Sequence, residues 1–250
     1  MTTQGILYIA TGKKYVQAAI RSARTVRKNS PELGIHLFTD AQNFDDFKFE
    51  GSPIPFTTVG KIDDPHRRSK VDYISRTPFE RTLYLDTDTA LNADISNIFR
   101  VLERFDIAMA HAQHRNTAGS LGPWRMELPQ AFPQYNSGVI LYRKTRTVIE
   151  LLEDWSSNFE ESGLRHDQPI LRELLWLSEL RIATLPPEYN VRFLKYHYLW
   201  SKSEAETKIF HLKQLHKGWF TWINKKSTAT RTIRKIGLGW LVDFIKKRLR

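Results

Sequence analysis

The stretch Arg81-Thr82-Leu83-Tyr84-Leu85-Asp86-Thr87-Asp88 decides the fold class of this 250-residue chain. Its first five residues are typical of a central strand, and its last three place two carboxylates directly after that strand. Ligands of open α/β sheets bind beyond the carboxyl ends of the strands. The stretch therefore predicts a strand that carries Asp86 and Asp88 to a binding site at one edge of a sheet.

The residues upstream predict that this sheet is parallel in part. Ile6–Ile9 is typical of a short buried strand, apolar residues then recur at helical spacing from Tyr15 to Val26, and Ile35–Thr39 predicts the next strand. A strand, a helix and a strand within about 35 residues indicate a βαβ unit.

The rest of the chain continues this alternation of strands and helices. Further strands are predicted over Ile54–Val59, Asp106–Ala110, Ser137–Tyr142 and Lys208–Leu212, and helices over Lys70–Arg76, Ile95–Leu102, Val148–Phe159 and Gln168–Leu177. Residues 111–135 are predicted to form a long polar loop, which in a compact domain is usually functional. We therefore predict an α/β fold with a single Rossmann-like mixed sheet flanked by helices.

Composition excludes several classes of protein. The chain has no cysteine, which excludes disulfides, zinc–thiolate sites and thiol catalysis. Glycine-rich dinucleotide and Walker A loops and a His-Glu-x-x-His motif are also missing. The apolar run Ile6–Ala10 is too short for a signal peptide, and no run reaches the roughly 18 apolar residues that span a bilayer. The expected location is cytoplasmic, in solution or at the inner face of a membrane.

Positive charge is concentrated near the C-terminus. Residues 213–250 hold eleven Lys or Arg and one acid, Asp243, and so supply +10 of the net charge of +11. Residues 1–219 are predicted to form one folded domain, and residues 220–250 a basic tail. Because aromatic and aliphatic residues such as Trp240 and Phe244 alternate with these charges, the tail suits an interfacial helix on an anionic membrane. A nucleic-acid arm and a solvated extension are the alternatives.

Asp86 and Asp88 are candidate metal ligands. Two carboxylates leave room for diphosphate oxygens and water, which suits Mg²⁺ or Mn²⁺. A solvated turn with Asp88 as a helix cap is the alternative interpretation of the same residues.

Further motifs follow along the chain in a recognisable order. They are Thr11 with Tyr15, Lys70, Asp86-Thr87-Asp88, Asn136-Ser137-Gly138, Asp167-Gln168, His211 and Lys217. In this order they resemble the retaining GT-A glycosyltransferases, specifically the family that includes glycogenin and bacterial lipooligosaccharide galactosyltransferases. The resemblance covers about residues 5–219.

The resemblance implies a role for each of these residues. Thr11 and Tyr15 would belong to the nucleotide site, with Tyr15 stacked on uracil. Lys70 would approach the donor, Asn136 and Ser137 would lie near the donor sugar, and Asp167 and Gln168 would lie under that sugar. Asp86, Asp88 and His211 would hold Mn²⁺ or Mg²⁺, and Lys217 would hold the diphosphate. One departure concerns the family pattern His-x-x-Gly-x-x-Lys-Pro-Trp, because Gln214 and Gly218 stand here in place of the glycine and the proline.

These implications lead to a functional hypothesis. The chain is expected to be a metal-dependent glycosyltransferase that moves a hexose from a nucleotide diphosphate, UDP in particular, to a glycan or glycolipid acceptor with retention. The alternatives are a nucleotidyltransferase that makes nucleotide sugars and a protein that binds nucleic acid through its tail. No nucleic-acid partner is expected, because the charge outside the tail is nearly balanced.

Overall fold

A computed structural model describes residues 3–41, 53–66, 69–113, 122–201 and 203–217, which contain nine strands. These are β1 (Gln4–Ala10), β2 (Gly34–Thr39), β3 (Thr58–Lys61), β4 (Arg81–Leu85), β5 (Thr89–Leu91), β6 (Ile107–His111), β7 (Tyr135–Arg143), β8 (Ile182–Leu185) and β9 (Ile209–His211). Seven of them form a mixed sheet in the order β3-β2-β1-β4-β7-β6-β8, and β5 and β9 form a separate pair. The mixed α/β sheet that the sequence predicts is confirmed.

Helices cover both faces of the large sheet. They are α1 (Lys13–Asn29), α2 (Ser69–Tyr73), α3 (Arg146–Ser162), α4 (Gln168–Leu177) and α5 (Leu194–Leu199). Because side chains alternate along a strand, Ile6 and Tyr8 of β1 enter one apolar core, together with α1, whereas Leu7 and Ile9 enter the other, together with α2, α3 and α4. Trp155 of α3 is fully buried in that second core.

The first strands run in parallel, as the βαβ pattern predicts. β1 pairs in parallel with β2 and with β4, so the carboxyl ends of β1 and β4 lie at the same edge. Gly12 at that edge has φ +78°, a conformation that favours glycine, and its N–H donates to Asp40 at 2.9 Å. This turn starts α1 and places Thr11 and Tyr15 at the edge of the sheet.

The direction of β7 brings a second segment to that edge. β7 is antiparallel to β4, with Leu85 opposite Val139, so the beginning of β7 meets the end of β4. The backbone N–H of Asp86 donates to the carbonyl oxygen of Gly138 at 2.8 Å. Asn136, Ser137 and Gly138 therefore lie beside the carboxylates that follow β4.

The small sheet combines β9, which the sequence predicts within Lys208–Leu212, with β5, which it does not predict. β5 and β9 pair in an antiparallel manner, and Thr89 lies opposite His211. Because Asp88 immediately precedes Thr89, this register places His211 next to Asp88.

The remaining differences are local. The third strand spans Thr58–Lys61 instead of Ile54–Val59, because Pro53 and Pro55 have no N–H to donate to a ladder. Residues Ser96–Glu103 and Ile74–Arg76 form 3₁₀ rather than α-helix, and β8 was not predicted. In the part of the chain that the structure describes, no helix is long and apolar enough to cross a membrane. The predicted tail lies outside the described residues.

Candidate active site

A cavity of about 630 Å³ opens at the carboxyl ends of β1 and β4 and the beginning of β7. This volume lies within the range of about 300–1,000 Å³ that is usual for small-molecule sites. Nearly all of the candidate residues from the sequence line it: Thr11, Tyr15, Lys70, Asp86, Asp88, Asn136, Ser137, Asp167, Gln168 and His211. The fold therefore collects residues from distant parts of the chain at one site.

Asp86, Asp88 and His211 form a cluster with the composition of a metal site. One ligand atom from each side chain lies within 4.8 Å of the others. His211 Nε2 is 3.1 Å from Asp88 Oδ1 and 3.5 Å from Asp86 Oδ2. A set of two carboxylates and one imidazole fits Mn²⁺ or Mg²⁺ in its ligand types.

The charges of this cluster support one another. Burial by itself would raise the pKa of Asp86, but the Lys70 ammonium and His211 outweigh it and lower that pKa well below its usual range. The pKa of Asp88 is also lowered, because His211 outweighs the effect of burial. Both carboxylates are therefore ionised at neutral pH, which a cation requires of its ligands.

Gly138 provides the space in which these ligands meet. A Cβ atom at this position would lie 2.1 Å from His211 Cε1 and 2.6 Å from Asp86 Oδ2, closer than atoms can approach. The missing side chain allows the imidazole and the carboxylate to approach each other across the beginning of β7.

Lys70 lies between the cluster of candidate metal ligands and Asp167 on the opposite side of the cavity. Its Nζ donates to Ser137 Oγ at 2.9 Å and lies 3.2 Å from Asp167 Oδ2 and 3.7 Å from Asp86 Oδ1. The ammonium is mostly buried between these two carboxylates. It would meet any anionic ligand that enters between them.

Asp167 and Gln168 lie where α4 begins. Asp167 occupies the capping position, but its side chain makes no capping hydrogen bond and contacts Lys70 instead. The indole N–H of Trp155 donates to the Asp167 carbonyl oxygen at 2.9 Å, which fixes the backbone there. The carboxylate is thus directed into the cavity rather than used to stabilise the helix.

Tyr15 lies at another part of the cavity wall. It is 41% exposed, whereas Val16 and Ala19 of the same helix are buried, so it is not part of the core. Its ring meets the edge of His216, with ring centroids 5.2 Å apart, and an exposed aromatic face of this kind suits a planar base.

The 3₁₀ segment Lys213–Lys217 follows β9. The position of Lys217 on it differs from the expected contact with the diphosphate. Lys213 and His216 line the cavity, whereas Lys217 is exposed and does not. Gln214 is also exposed. Lys213 is therefore the lysine of this segment that lines the cavity, and Trp219 lies outside the described residues.

Sequence reasoning missed several residues of the site. Arg192 lines the cavity, and its guanidinium contacts His211 Nε2. Asn190 Oδ1 accepts a hydrogen bond from His211 Nδ1 at 2.8 Å. The Tyr84 hydroxyl donates to Asp86 Oδ1 at 2.7 Å. Tyr84 stands two residues before Asp86, a spacing that could have indicated it. Asn190 and Arg192 lie in an irregular segment with no such signal.

The sequence agrees with the fold and the cavity in placing this chain in a family of transferases. The sequence profile of the family described as nucleotide-diphospho-sugar transferase matches residues 81–218, more than half of the chain. The chain belongs to this family and is a glycosyltransferase. No curated protein matches the chain in sequence.

Solved structures with a similar fold are glycosyltransferases. An active-site mutant of LgtC has a TM-score of 0.62 at 12% identity, and the match covers 90% of this chain and 95% of that chain. The glycosyltransferase GlyE of Streptococcus pneumoniae TIGR4 has a TM-score of 0.58 at 17% identity over 84% of this chain, which spans only 54% of GlyE. Mouse xyloside xylosyltransferase 1 has a TM-score of 0.56 at 14% identity, over 84% of this chain and 97% of that chain. At these identities the likeness shows a common fold, and the predicted GT-A fold is confirmed.

Proposed function

We propose that this glycosyltransferase moves a hexose from a UDP-sugar to a glycan or glycolipid acceptor, with retention at the anomeric carbon, and that it uses Mn²⁺ or Mg²⁺. The observation that carries the proposal is the placement of Asp86, Asp88 and His211 in the same cavity as Asp167. Nucleotide, diphosphate and sugar would each meet a group of suitable chemistry there.

Asp86, Asp88 and His211 would hold the cation. The fit is supported by their ligand types, by the ionised state of both carboxylates and by the space at Gly138. A bound divalent ion would act as a Lewis acid that neutralises the leaving diphosphate.

Fixed positive charges would assist where negative charge develops. Lys70 is held between Asp86 and Asp167, and Lys217 lies on the segment after β9. Lys217 is proposed to approach the diphosphate once a donor is bound, and Lys213 already lines the cavity.

The sugar would lie between the cation and α4. Asp167 and Gln168 would then face the developing oxocarbenium ion, while Asn136 and Ser137 bind the donor sugar near the beginning of β7. In a retaining reaction the acceptor hydroxyl forms its bond on the face from which the diphosphate departs, and its proton passes to that leaving group.

At the nucleotide end of the donor, Tyr15 would stack on the base and Thr11 would bind beside it. The exposure of Tyr15 supports this role. UDP is the proposed nucleotide because of the resemblance carried by these two residues.

A donor screen tests the proposal. The full chain is incubated with UDP-, GDP- and other activated sugars, and release of the nucleoside diphosphate is measured with Mn²⁺, with Mg²⁺ and with EDTA. We expect release from a UDP-hexose that EDTA abolishes. An Asp167→Asn variant should lose turnover, whereas a matched Asp154→Asn variant on the exposed face of α3 should keep it. Metal-independent release from a GDP-sugar would contradict the donor and metal assignments.

The tail beyond residue 219 is proposed to hold the enzyme at an anionic membrane that bears a glycolipid acceptor. Its cluster of Lys, Arg and aromatic residues supports this. A variant that ends at Ser227 should keep turnover on a soluble acceptor and lose sedimentation with anionic vesicles. Binding of the full chain to DNA or RNA rather than vesicles would contradict the membrane role.

A further inference from the structure

Arg192 brings a positive charge to the wall of the cavity. Its guanidinium lines the cavity and contacts His211 Nε2. Among the residues that the structure describes, this is the only polar contact of its side chain, and no carboxylate lies within ion-pair distance of it. A guanidinium carries five N–H donors, so most of them remain available to an anionic ligand in the cavity.

The backbone at Arg192 is anchored on two sides. On one side, Val191 forms a parallel bridge to β9, and its carbonyl oxygen accepts from the His211 N–H at 2.9 Å. On the other side, the Arg192 N–H donates to Gln113 Oε1 at 2.9 Å, and Gln113 Nε2 donates to the Asn190 carbonyl oxygen at 3.2 Å. The base of the Arg192 side chain is therefore fixed beside β9, close to the candidate metal ligands.

The guanidinium lies on the side of the imidazole that a metal ion would use. His211 Nδ1 is 2.8 Å from Asn190 Oδ1, so Nε2 is the ring nitrogen that faces Asp88 and Asp86. A cation held by His211 and these carboxylates would lie close to the guanidinium. Because like charges repel, and burial limits the screening of that repulsion, Arg192 should oppose the binding of a divalent cation alone.

A diphosphate would remove this repulsion. Its oxygens can bind the cation on one side and the guanidinium on the other, and the planar fork of a guanidinium suits two phosphate oxygens at once. Lys70 is already paired with Asp86 and Asp167, and Lys217 does not line the cavity. Arg192 is therefore well placed to meet a diphosphate beside the cation.

We propose that Arg192 binds the diphosphate of the donor and disfavours the divalent cation until that diphosphate is present. Cation and nucleotide then bind as a pair, because the anion neutralises both positive charges. The inference rests on the proposed function and adds to it a diphosphate-binding residue that lies outside the sequence motifs.

Two affinities of the full chain test the proposal, because the expected effects have opposite signs. Mn²⁺ affinity without nucleotide is measured by EPR of the free ion, and UDP and GDP affinities are measured by calorimetry at saturating Mn²⁺. Arg192→Gln should bind Mn²⁺ alone at least about threefold more tightly. It should bind the nucleoside diphosphate about 10- to 100-fold more weakly. A general structural defect would instead weaken both.

Two further variants support this comparison. Arg192→Lys keeps the charge without the planar fork, so it should bind Mn²⁺ alone as the wild type does and should bind UDP with an affinity between those of the wild type and Arg192→Gln. Lys195→Gln is the matched control, because it removes an exposed positive charge on α5, three residues further along the chain. Both of its affinities should stay near those of the wild type.

Weakening of both affinities in Arg192→Gln, a change in only one of them, or equal changes in Lys195→Gln would overturn the proposal. The wild type tests the proposed function separately. If it binds GDP and not UDP, the base assignment fails, while the role of Arg192 stands on the same comparison made with GDP. If it binds no Mn²⁺, the metal assignment fails and this inference fails with it.

Discussion

His211 Nε2 lies 3.1 Å from Asp88 Oδ1, although the two residues belong to distant parts of the chain. The β5–β9 pair brings them together, because Thr89 lies opposite His211. The Leu212 N–H also donates to the Asp88 carbonyl oxygen at 2.8 Å. The small sheet therefore completes a ligand set that the large sheet supplies only in part.

Gly138→Ala should disrupt that ligand set. The new Cβ would lie 2.1 Å from His211 Cε1 and 2.6 Å from Asp86 Oδ2, so at least one ligand must move. We expect Mn²⁺ affinity and donor turnover to fall by at least about tenfold, as happens when the support of a metal ligand is lost.

Gly163→Ala is the matched control for this variant. Gly163 ends α3 with φ +63° and has open space around it. Alanine there should lower the free energy of unfolding by about 1 kcal/mol and leave Mn²⁺ affinity unchanged. The steric account fails if Gly138→Ala binds Mn²⁺ as tightly as Gly163→Ala does.

Tyr15→Ala should weaken UDP binding, because base–aromatic stacking contributes about 1–3 kcal/mol per base. Tyr15→Phe should bind UDP almost as well as the wild type, since the ring remains. Calorimetric titration with UDP in the presence of Mn²⁺ compares the three proteins. Equal affinity in the alanine variant would show that the base lies elsewhere.

Lys217→Ala should lower kcat more than it weakens UDP binding, because a charge that meets the departing diphosphate acts mainly in the transition state. By analogy with the loss of an oxyanion donor, the decrease in kcat is about 10²–10³-fold. Lys208→Ala, which removes a lysine that pairs with Glu206 on the surface, is the control. A rise in KM with unchanged kcat would make Lys217 a binding residue only.

Asp94 provides a test of stability against pH. Its carboxylate accepts from the hydroxyls of Ser96 at 2.6 Å and Ser30 at 2.7 Å, and these bonds lower its pKa to about 2. Because an unfolded aspartate has a pKa of about 3.9, the stabilisation is complete above that pH and is lost as the pH falls through about 2.

The corresponding variant is Asp94→Asn. Its free energy of unfolding in guanidinium should be lower than that of the wild type at pH 7, and the difference should shrink between pH 4 and pH 2. Asp154→Asn, at an exposed position of α3, should differ little from the wild type throughout. A difference for Asp94→Asn that is independent of pH would contradict the assignment.

The large sheet could be predicted from sequence because its signals are local. Arg81–Leu85 is a continuous strand, and Ile6–Thr39 contains a complete βαβ unit. β5 is only three residues long, and its partner β9 lies far along the chain, so no local pattern pairs them. Pairing of that kind depends on long-range contacts.

The candidate site divides in the same way. Asp86 and Asp88 follow a strand, a position that makes them candidate ligands, although a solvated turn is an alternative interpretation until the other motifs are added. Asn190 and Arg192 are held beside β9 by a single β-bridge between Val191 and Phe210, and no local sequence pattern predicts that bridge. The exposure of Lys217 depends likewise on how the segment after β9 turns, and neighbouring residues do not determine that turn.

The central claim is that Asp86, Asp88 and His211 hold the cation on which transfer depends. The most direct measurement is Mn²⁺ binding by EPR together with UDP release from the UDP-sugar, in wild type, Asp88→Asn and the control Asp154→Asn. We predict that the wild type and the control bind Mn²⁺ and lose turnover in EDTA until Mn²⁺ is restored, whereas folded Asp88→Asn binds no Mn²⁺ and shows no turnover even when Mn²⁺ is present. Full turnover of the wild type in EDTA, or of Asp88→Asn with Mn²⁺ binding intact, would contradict the claim.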